Sequence, residues 1–141
     1  MEFSADHIRL LDMPGTFARI ATLMRDGSPQ NTVIWFRRVG NTLRMTCAPD
    51  AVKARNIRRD PRVAIVVEHP TDPYRFVQFR GRAEVDEDAS IGWEEAVAQS
   101  RRYLAERADA YIASIAGTPT VTIIFHPESA SEFIGKNASS D

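Results

Sequence analysis

The sequence predicts a mainly β fold with flanking helices, in which about six antiparallel strands close or nearly close into a small barrel. Three observations predict it. Short β-branched and aromatic runs, such as QNTVIWFRR over residues 30–38 and RVAIVVE over 62–68, suit a pleated surface. Residues 74–85 alternate apolar and polar with period two. The elements also follow the order β-β-β-α-β-β-α-β with hairpin-length loops, which favours antiparallel pairing.

The elements follow in order. A short helix over Asp6–Asp12 ends at Pro14-Gly15. Thr16–Met24 reads as a strand, and Arg25-Asp26-Gly27-Ser28-Pro29 as a hairpin connection dense in turn residues. Gln30–Arg38 is one strand, Val39-Gly40-Asn41 turns the chain, and Thr42–Cys47 returns. Asp50 is placed to cap a helix over Ala51–Arg59, because its carboxylate can accept from free backbone N–H groups. Asp60-Pro61 stops that helix, since the residue before proline avoids the helical region.

Arg62–Glu68 is a short apolar run, expected to be a strand buried on both faces. In Tyr74–Val85, Val77, Phe79, Ala83 and Val85 share one face, and Gly81 between them marks a bulge or a close backbone approach. Ile91–Ala116 is helical, with Trp93, Val97, Leu104, Ala108, Tyr111 and Ile115 on one stripe, closed by Gly117 and Pro119. Thr120–His126 is the last strand. The tail over 137–141 is polar and expected to fray.

Composition excludes several classes. At 141 residues the chain is one domain, 1–141, with its core over about 8–127. A single cysteine, Cys47, rules out an intrachain disulfide and a cysteine-based zinc site. There is no apolar run of membrane-spanning length, and the opening MEFSADHIRLLD lacks the pattern of a signal peptide, so a cytoplasmic protein is expected. Eighteen basic against nineteen acidic residues give a net charge of -1, which argues against a nucleic-acid partner. Sixteen of the eighteen basic residues are Arg and Ala occurs eighteen times, as in proteins of GC-rich genomes.

Three segments carry chemistry. Val52–Arg62 holds Lys53, Arg55, Arg58, Arg59 and Arg62 against one acid, Asp60. Lys53 and Arg55 fall in a first helical turn, where free N–H groups and the dipole favour an anion such as phosphate. The same residues would serve as a solvated basic face, and Asp50 would put an anion at that helix end. On Gln30–Phe36, Gln30 and Thr32 place polar groups on an otherwise apolar strand, as the edge of a flat heterocycle requires; ordinary alternation, with Trp35 and Phe36 in the core, explains them too. Tyr74 and Arg75, beside a loop, suit a ligand cover, a partner chain or an exposed strand start.

His7, His69 and His126 show no ligand spacing, so no metal is expected. Cys47 reads as a small buried hydrophobe. Without a nucleophile motif or a carboxylate pair, no catalytic side chain is assigned, and an enzyme of this kind would rely on a bound cofactor.

The motifs Leu23-Met24-x-Asp26-Gly27-Ser28-Pro29-Gln30, Thr32-x-x-Trp35-Phe36, Lys53-Ala54-Arg55-Asn56-Ile57-x-Arg59-Asp60-Pro61-Arg62, Pro73-Tyr74-Arg75-Phe76 and Arg80-Gly81-Arg82 occur in that order. Together they resemble the pyridoxamine 5′-phosphate oxidase-like split-barrel family, more narrowly its flavin- and deazaflavin-dependent oxidoreductases. The resemblance implies a six-stranded split β-barrel and a homodimer with two cofactor sites at the subunit interface. It places Lys53, Arg55 and Asn56 on the phosphate-binding helix. Gln30, Thr32, Val33 and Ile34 would line the cofactor ring, and Thr46 and Cys47 would lie near its phosphate and ribityl chain. Tyr74 and Arg75 would approach the cofactor of the other subunit.

The implied activity is hydride transfer between coenzyme F420 and a small electron-poor organic substrate. FMN is the alternative cofactor, and a non-catalytic flavin- or haem-binding module is a further reading, with His69 or His126 as the available haem ligand. Composition tilts the choice toward F420. Two positions depart from the family pattern: Val33 stands where proline is frequent, and Ala51 where many members carry arginine. Loss of one charged phosphate ligand would cost about 1.5–3 kcal/mol.

Overall fold

The structure is a computed structural model and describes residues 1–134. The predicted tail over 137–141 lies outside the described residues. The elements are α1 (Ala5–Leu11), β1 (Ala18–Leu23), β2 (Pro29–Ile34), β3 (Arg37–Val39), β4 (Thr42–Cys47), α2 (Val52–Arg59), β5 (Arg62–Glu68), β6 (Arg75–Asp86), α3 (Ala89–Leu104), α4 (Ala108–Ile115) and β7 (Val121–Ile134). No helix among the described residues is long and apolar enough to cross a membrane.

All seven strands form one antiparallel sheet in the order β2-β1-β5-β6-β7-β4-β3. β2 and β3 are consecutive in the chain yet occupy opposite edges of the sheet. Only Trp35 and Phe36 separate them, so the sheet must curl until its edges meet. The result is a barrel split between β2 and β3. Phe36 turns fully into the core, where it joins Ile20, Leu43, Met45, Ile65, Phe79, Ile123 and Phe125.

The single strand expected over Gln30–Arg38 is therefore two, and the sheet has seven strands rather than six. The Trp35–Phe36 crossover carries strand-like residues but must leave one edge to reach the other. Likewise β5 alternates instead of being buried on both faces: Val63, Ile65 and Val67 point inward, and Ala64, Val66 and Glu68 stay half-covered.

Gly81 combines both roles that its position in the strand suggested. The β6–β7 register shifts between Arg80 and Gly81, and a Cβ on Gly81 would lie 2.1 Å from the His126 carbonyl oxygen. Pro127 sits opposite Gly81 at this bulge, where a missing N–H is tolerated. For that reason β7 continues past His126 to Ile134 instead of stopping there.

Two helical expectations are corrected. Asp50 does not cap α2; the N-cap is Ala51, and no side chain bonds to the free N–H groups. The long helix over Ile91–Ala116 is broken at Ala105, whose φ of 48° is left-handed, and a 3-10 turn over Ala105–Arg107 leads into α4. Of the predicted apolar stripe only Ala108 is fully buried; Trp93, Val97, Leu104 and Ile115 are half-buried and Tyr111 is exposed. α3 instead buries Gly92, Glu95, Ala96, Gln99 and Ser100. This polar face is satisfied: Glu95 holds Arg37 through two bonds of 2.9 and 2.7 Å, and the Gln99 amide donates to the Arg44 carbonyl at 3.0 Å.

Candidate functional site

The basic run Val52–Arg62 resolves into committed and uncommitted cations. Arg58 forks onto Glu87 with two bonds of 2.8 Å and also donates to the Pro49 carbonyl. Arg59 donates to the Leu23 carbonyl and to Asn56 Oδ1, and Arg62 forks onto Asp60. The last pair holds the Asp60 carboxyl down to about 2. Among the cations of this run the side chains of Lys53 and Arg55 alone make no hydrogen bond or ion pair within the described residues. Both stand on the first turn of α2. There the first intrahelical bond runs from Arg55 N–H to the Ala51 carbonyl at 3.0 Å, so the N–H groups of Val52, Lys53 and Ala54 have no helical acceptor. This helix end thus offers backbone donors, a positive dipole and two free cations to an anion.

Asn56 has a different task. Its buried amide donates to Thr22 Oγ1 at 3.0 Å and to Met24 Sδ at 3.3 Å, while its oxygen accepts from Arg59. Thr22 Oγ1 in turn donates to Gln30 Oε1 at 3.2 Å. A chain of side chains thus ties α2 to β1 and β2. It fixes Gln30 by its oxygen and leaves the Gln30 amide N–H groups without an acceptor among the described residues.

On β2, Val33 is 58 % exposed, and Ile34 packs partly on the core. Thr32 Oγ1 is buried with no hydrogen-bond partner. An orphaned hydroxyl there is costly unless something completes it. Thr122 Oγ1, cross-strand from Thr46, is orphaned in the same way. A polar-edged ligand along β2 fits this donor set.

Val33, Ile34 and Thr46 line one cavity of about 340 Å³, with Phe17, Trp35, Gln99 and Tyr111. A second cavity of about 220 Å³ shares Trp35, Thr46, Gln99 and Tyr111 and adds Cys47. Burial pushes the Cys47 thiol up, against the opposing charges of Lys53 and Arg58.

Tyr74 and Arg75 are elsewhere in the chain. Tyr74 is exposed, and Arg75 lines a separate cavity of about 280 Å³ with His7, His69 and Glu132. One chain therefore brings Val33, Ile34, Thr46 and Cys47 to two adjoining cavities, links Gln30 to α2 through Thr22 and Asn56, and places Tyr74 and Arg75 outside those cavities. His126 is exposed and bonds Glu84 at 3.1 Å.

Sequence reasoning missed the aromatic wall. Trp35 is half-buried rather than in the core, stacked on Tyr103 at 4.9 Å with 5° between planes, and Tyr111 meets its edge at 5.9 Å. Tyr103 and Tyr111 lie eight residues apart across the broken helix, so helical periodicity could not pair them with Trp35.

A family model described as pyridoxamine 5′-phosphate oxidase matches residues 14–133. No curated protein matches the chain. Several solved structures are similar. A conserved hypothetical protein from Mycobacterium tuberculosis superposes with a TM-score of 0.76 at 23% identity, covering 94% of this chain and 85% of that one. An F420 reductase superposes with a TM-score of 0.66 at 26% identity, covering 92% and 98%. A pyridoxamine 5′-phosphate oxidase-related, FMN-binding protein from Nostoc punctiforme gives 0.61 at 17% identity, covering 82% and 72%.

Proposed function

The chain belongs to the pyridoxamine 5′-phosphate oxidase family, and on that premise we propose that it is an oxidoreductase that holds coenzyme F420, with FMN as the alternative cofactor on the same residues. The observation that carries the proposal is the selective freedom of Lys53 and Arg55. Their three neighbours in the run are tied to protein groups, and these two are left at an uncapped helix start. The 26% identity to an F420 reductase supports F420 over FMN.

In this reading Lys53, Arg55 and the N–H groups of Val52, Lys53 and Ala54 hold the cofactor phosphate. The Gln30 amide and Thr32 Oγ1 meet the polar edge of its ring, Val33 and Ile34 give that ring an apolar bed, and Thr46 and Cys47 flank the linking chain. Tyr74 and Arg75 reach the site from a second copy, which makes the working unit a homodimer. The chemistry such a cofactor supplies is hydride transfer to an electron-poor organic acceptor. The protein's part is to orient the ring and keep water out.

The test is a fluorescence titration of the purified protein with F420 and, separately, FMN, repeated on Lys53→Ala. Tight F420 binding that weakens about 10- to 150-fold in the variant, equivalent to about 1.5–3 kcal/mol, supports the proposal. Tighter FMN binding moves the function to flavin chemistry. Binding of neither, or unchanged affinity in Lys53→Ala, overturns it.

A further inference from the structure

α3 buries a polar face whose hydrogen bonds leave one side-chain atom unused. Gly92 brings the helix down onto the chain just before β7, where a Cβ would lie 2.3 Å from the Thr120 carbonyl oxygen. Farther along the helix, Glu95, Gln99 and Ser100 are buried. The Ser100 hydroxyl donates to the Ala96 carbonyl at 2.7 Å. The Glu95 carboxylate takes two bonds from Arg37 and one from Gln99. Gln99 follows Glu95 by four residues and so lies on the same side of α3. Its amide nitrogen donates to Glu95 at 3.1 Å and to the Arg44 carbonyl at 3.0 Å. The Gln99 oxygen has no partner among the described residues, although the residue is only 1% exposed.

The amide cannot turn over. A carboxylate and a backbone carbonyl only accept, so both require the N–H groups. Donation to a carboxylate also polarises the amide and strengthens its oxygen as an acceptor. Gln99 lines both cavities at the split, each time with Thr46, and the smaller one also with Cys47. With the nitrogen committed, the oxygen is the polar atom that Gln99 has for those cavities. The Thr46 hydroxyl, on the same walls, makes no hydrogen bond among the described residues. A carbonyl placed against the Gln99 oxygen would set acceptor against acceptor, whereas a hydroxyl meets it as a donor.

We propose that Gln99 is a cofactor-binding residue whose oxygen accepts a hydrogen bond from a hydroxyl of the ribityl chain, and that it thereby selects cofactors with a hydroxylated linker. This rests on the reading that lays the linking chain beside Thr46 and Cys47. It brings α3 into a site that the sequence motifs confine to β2, β4, α2 and the Tyr74-Arg75 loop, and it makes Glu95 the positioning residue that holds the amide.

The test uses FMN and its 8-hydroxy-5-deaza counterpart, which carries the F420 ring. Each is paired with an analogue that has the same ring and phosphate on a pentyl chain without hydroxyls. In fluorescence titrations the parent should bind the ribityl form of the ring it accepts about tenfold or more tightly than the pentyl form. Gln99→Met, close in shape but without the acceptor, should lower ribityl affinity about tenfold and leave pentyl affinity within about threefold, so the pentyl probe reports that the site is intact. In the parent, labelled with carbon-13, the side-chain carbonyl signal of Gln99 should move downfield with the ribityl probe and stay in place with the pentyl probe. That signal decides the matter should Gln99→Met fail to fold. Equal binding of the two forms by the parent, equal losses in the variant, or an unmoved carbonyl signal overturns the proposal. If both forms bind alike and Lys53→Ala weakens both, the Gln99 assignment alone falls. If neither form binds, or Lys53→Ala changes nothing, the cofactor reading falls and the Gln99 assignment with it.

Discussion

The side-chain amide of Asn56 donates to the hydroxyl of Thr22 across 3.0 Å of buried space, and this bond seats α2 on β1. It belongs to a helix whose start is offered to an anion, so the placement of that start depends on it. Asn56→Ala removes the donor to the buried Thr22 hydroxyl and one of the two acceptors of Arg59, while Thr22 keeps its bond to Gln30 and Arg59 its bond to the Leu23 carbonyl. The expected loss is about 1–3 kcal/mol. At about 3–4 °C per kcal/mol for a domain of this size, thermal unfolding should show a fall of several degrees. A melting temperature equal to that of the parent would mean that α2 is held by Ile57 and Ala54 packing alone.

Neighbouring cations on α2 should behave differently. Arg55→Ala should weaken cofactor binding, because that guanidinium has no hydrogen-bond or ion-pair partner among the described residues. Arg58→Ala should leave affinity within about threefold, because Arg58 is already spent on Glu87 and the Pro49 carbonyl. Side-by-side titrations of the two variants check this. Equal losses would point to a general electrostatic effect of the basic helix rather than to a site at its start.

Much of this was legible in the sequence, and what was not has physical causes. β4 and β5 lie where β-branching and turn residues put them, and the bulge at Gly81 could be read from a glycine inside a period-two strand. The β2–β3 break could not be read, because Trp35 and Phe36 have strand propensity and the break is imposed by barrel closure. Ala105 in a left-handed conformation carries no local signal either, and it undid the helical stripe. On the site, the basic run was visible, but composition could not say that Lys53 and Arg55 are free while Arg58, Arg59 and Arg62 are not. That depends on Glu87, Leu23 and Asp60 arriving from other places in the chain.

The Asp60–Arg62 pair predicts a narrow acid response. Hydrogen bonds from the Arg62 side chain and backbone hold the Asp60 carboxyl down to about 2, against an ordinary value of 3.8. A carboxyl depressed in the folded state contributes its stabilisation in full above the unfolded value. That contribution fades as pH falls from about 4 through about 2. Carbon-detected NMR titration of Asp60 should find the low value, and Arg62→Ala should return it toward 3.8. A titration unmoved by Arg62→Ala would leave the backbone N–H and the Arg59 charge as the causes.

The Glu95–Arg37 pair predicts an asymmetry between two ways of removing it. The Glu95 side chain is 2% exposed and that of Arg37 is 39% exposed. Arg37 contributes two donors at 2.9 and 2.7 Å, and Gln99 adds a third at 3.1 Å. Arg37→Ala leaves a carboxylate buried under α3 with one neutral donor. Breaking a buried pair from one side costs about 3–5 kcal/mol, and the open arginine side admits water, so a loss near about 3 kcal/mol is expected. Replacing both residues with apolar groups, as Arg37→Met with Glu95→Leu, should recover much of that loss, because no charge remains to be desolvated. Gln99 would still have the Arg44 carbonyl as its acceptor. Urea unfolding of the parent, the single variant and the double variant gives the three free energies. A double variant less stable than Arg37→Ala would show that the ion pair contributes more through its geometry than it loses by burial.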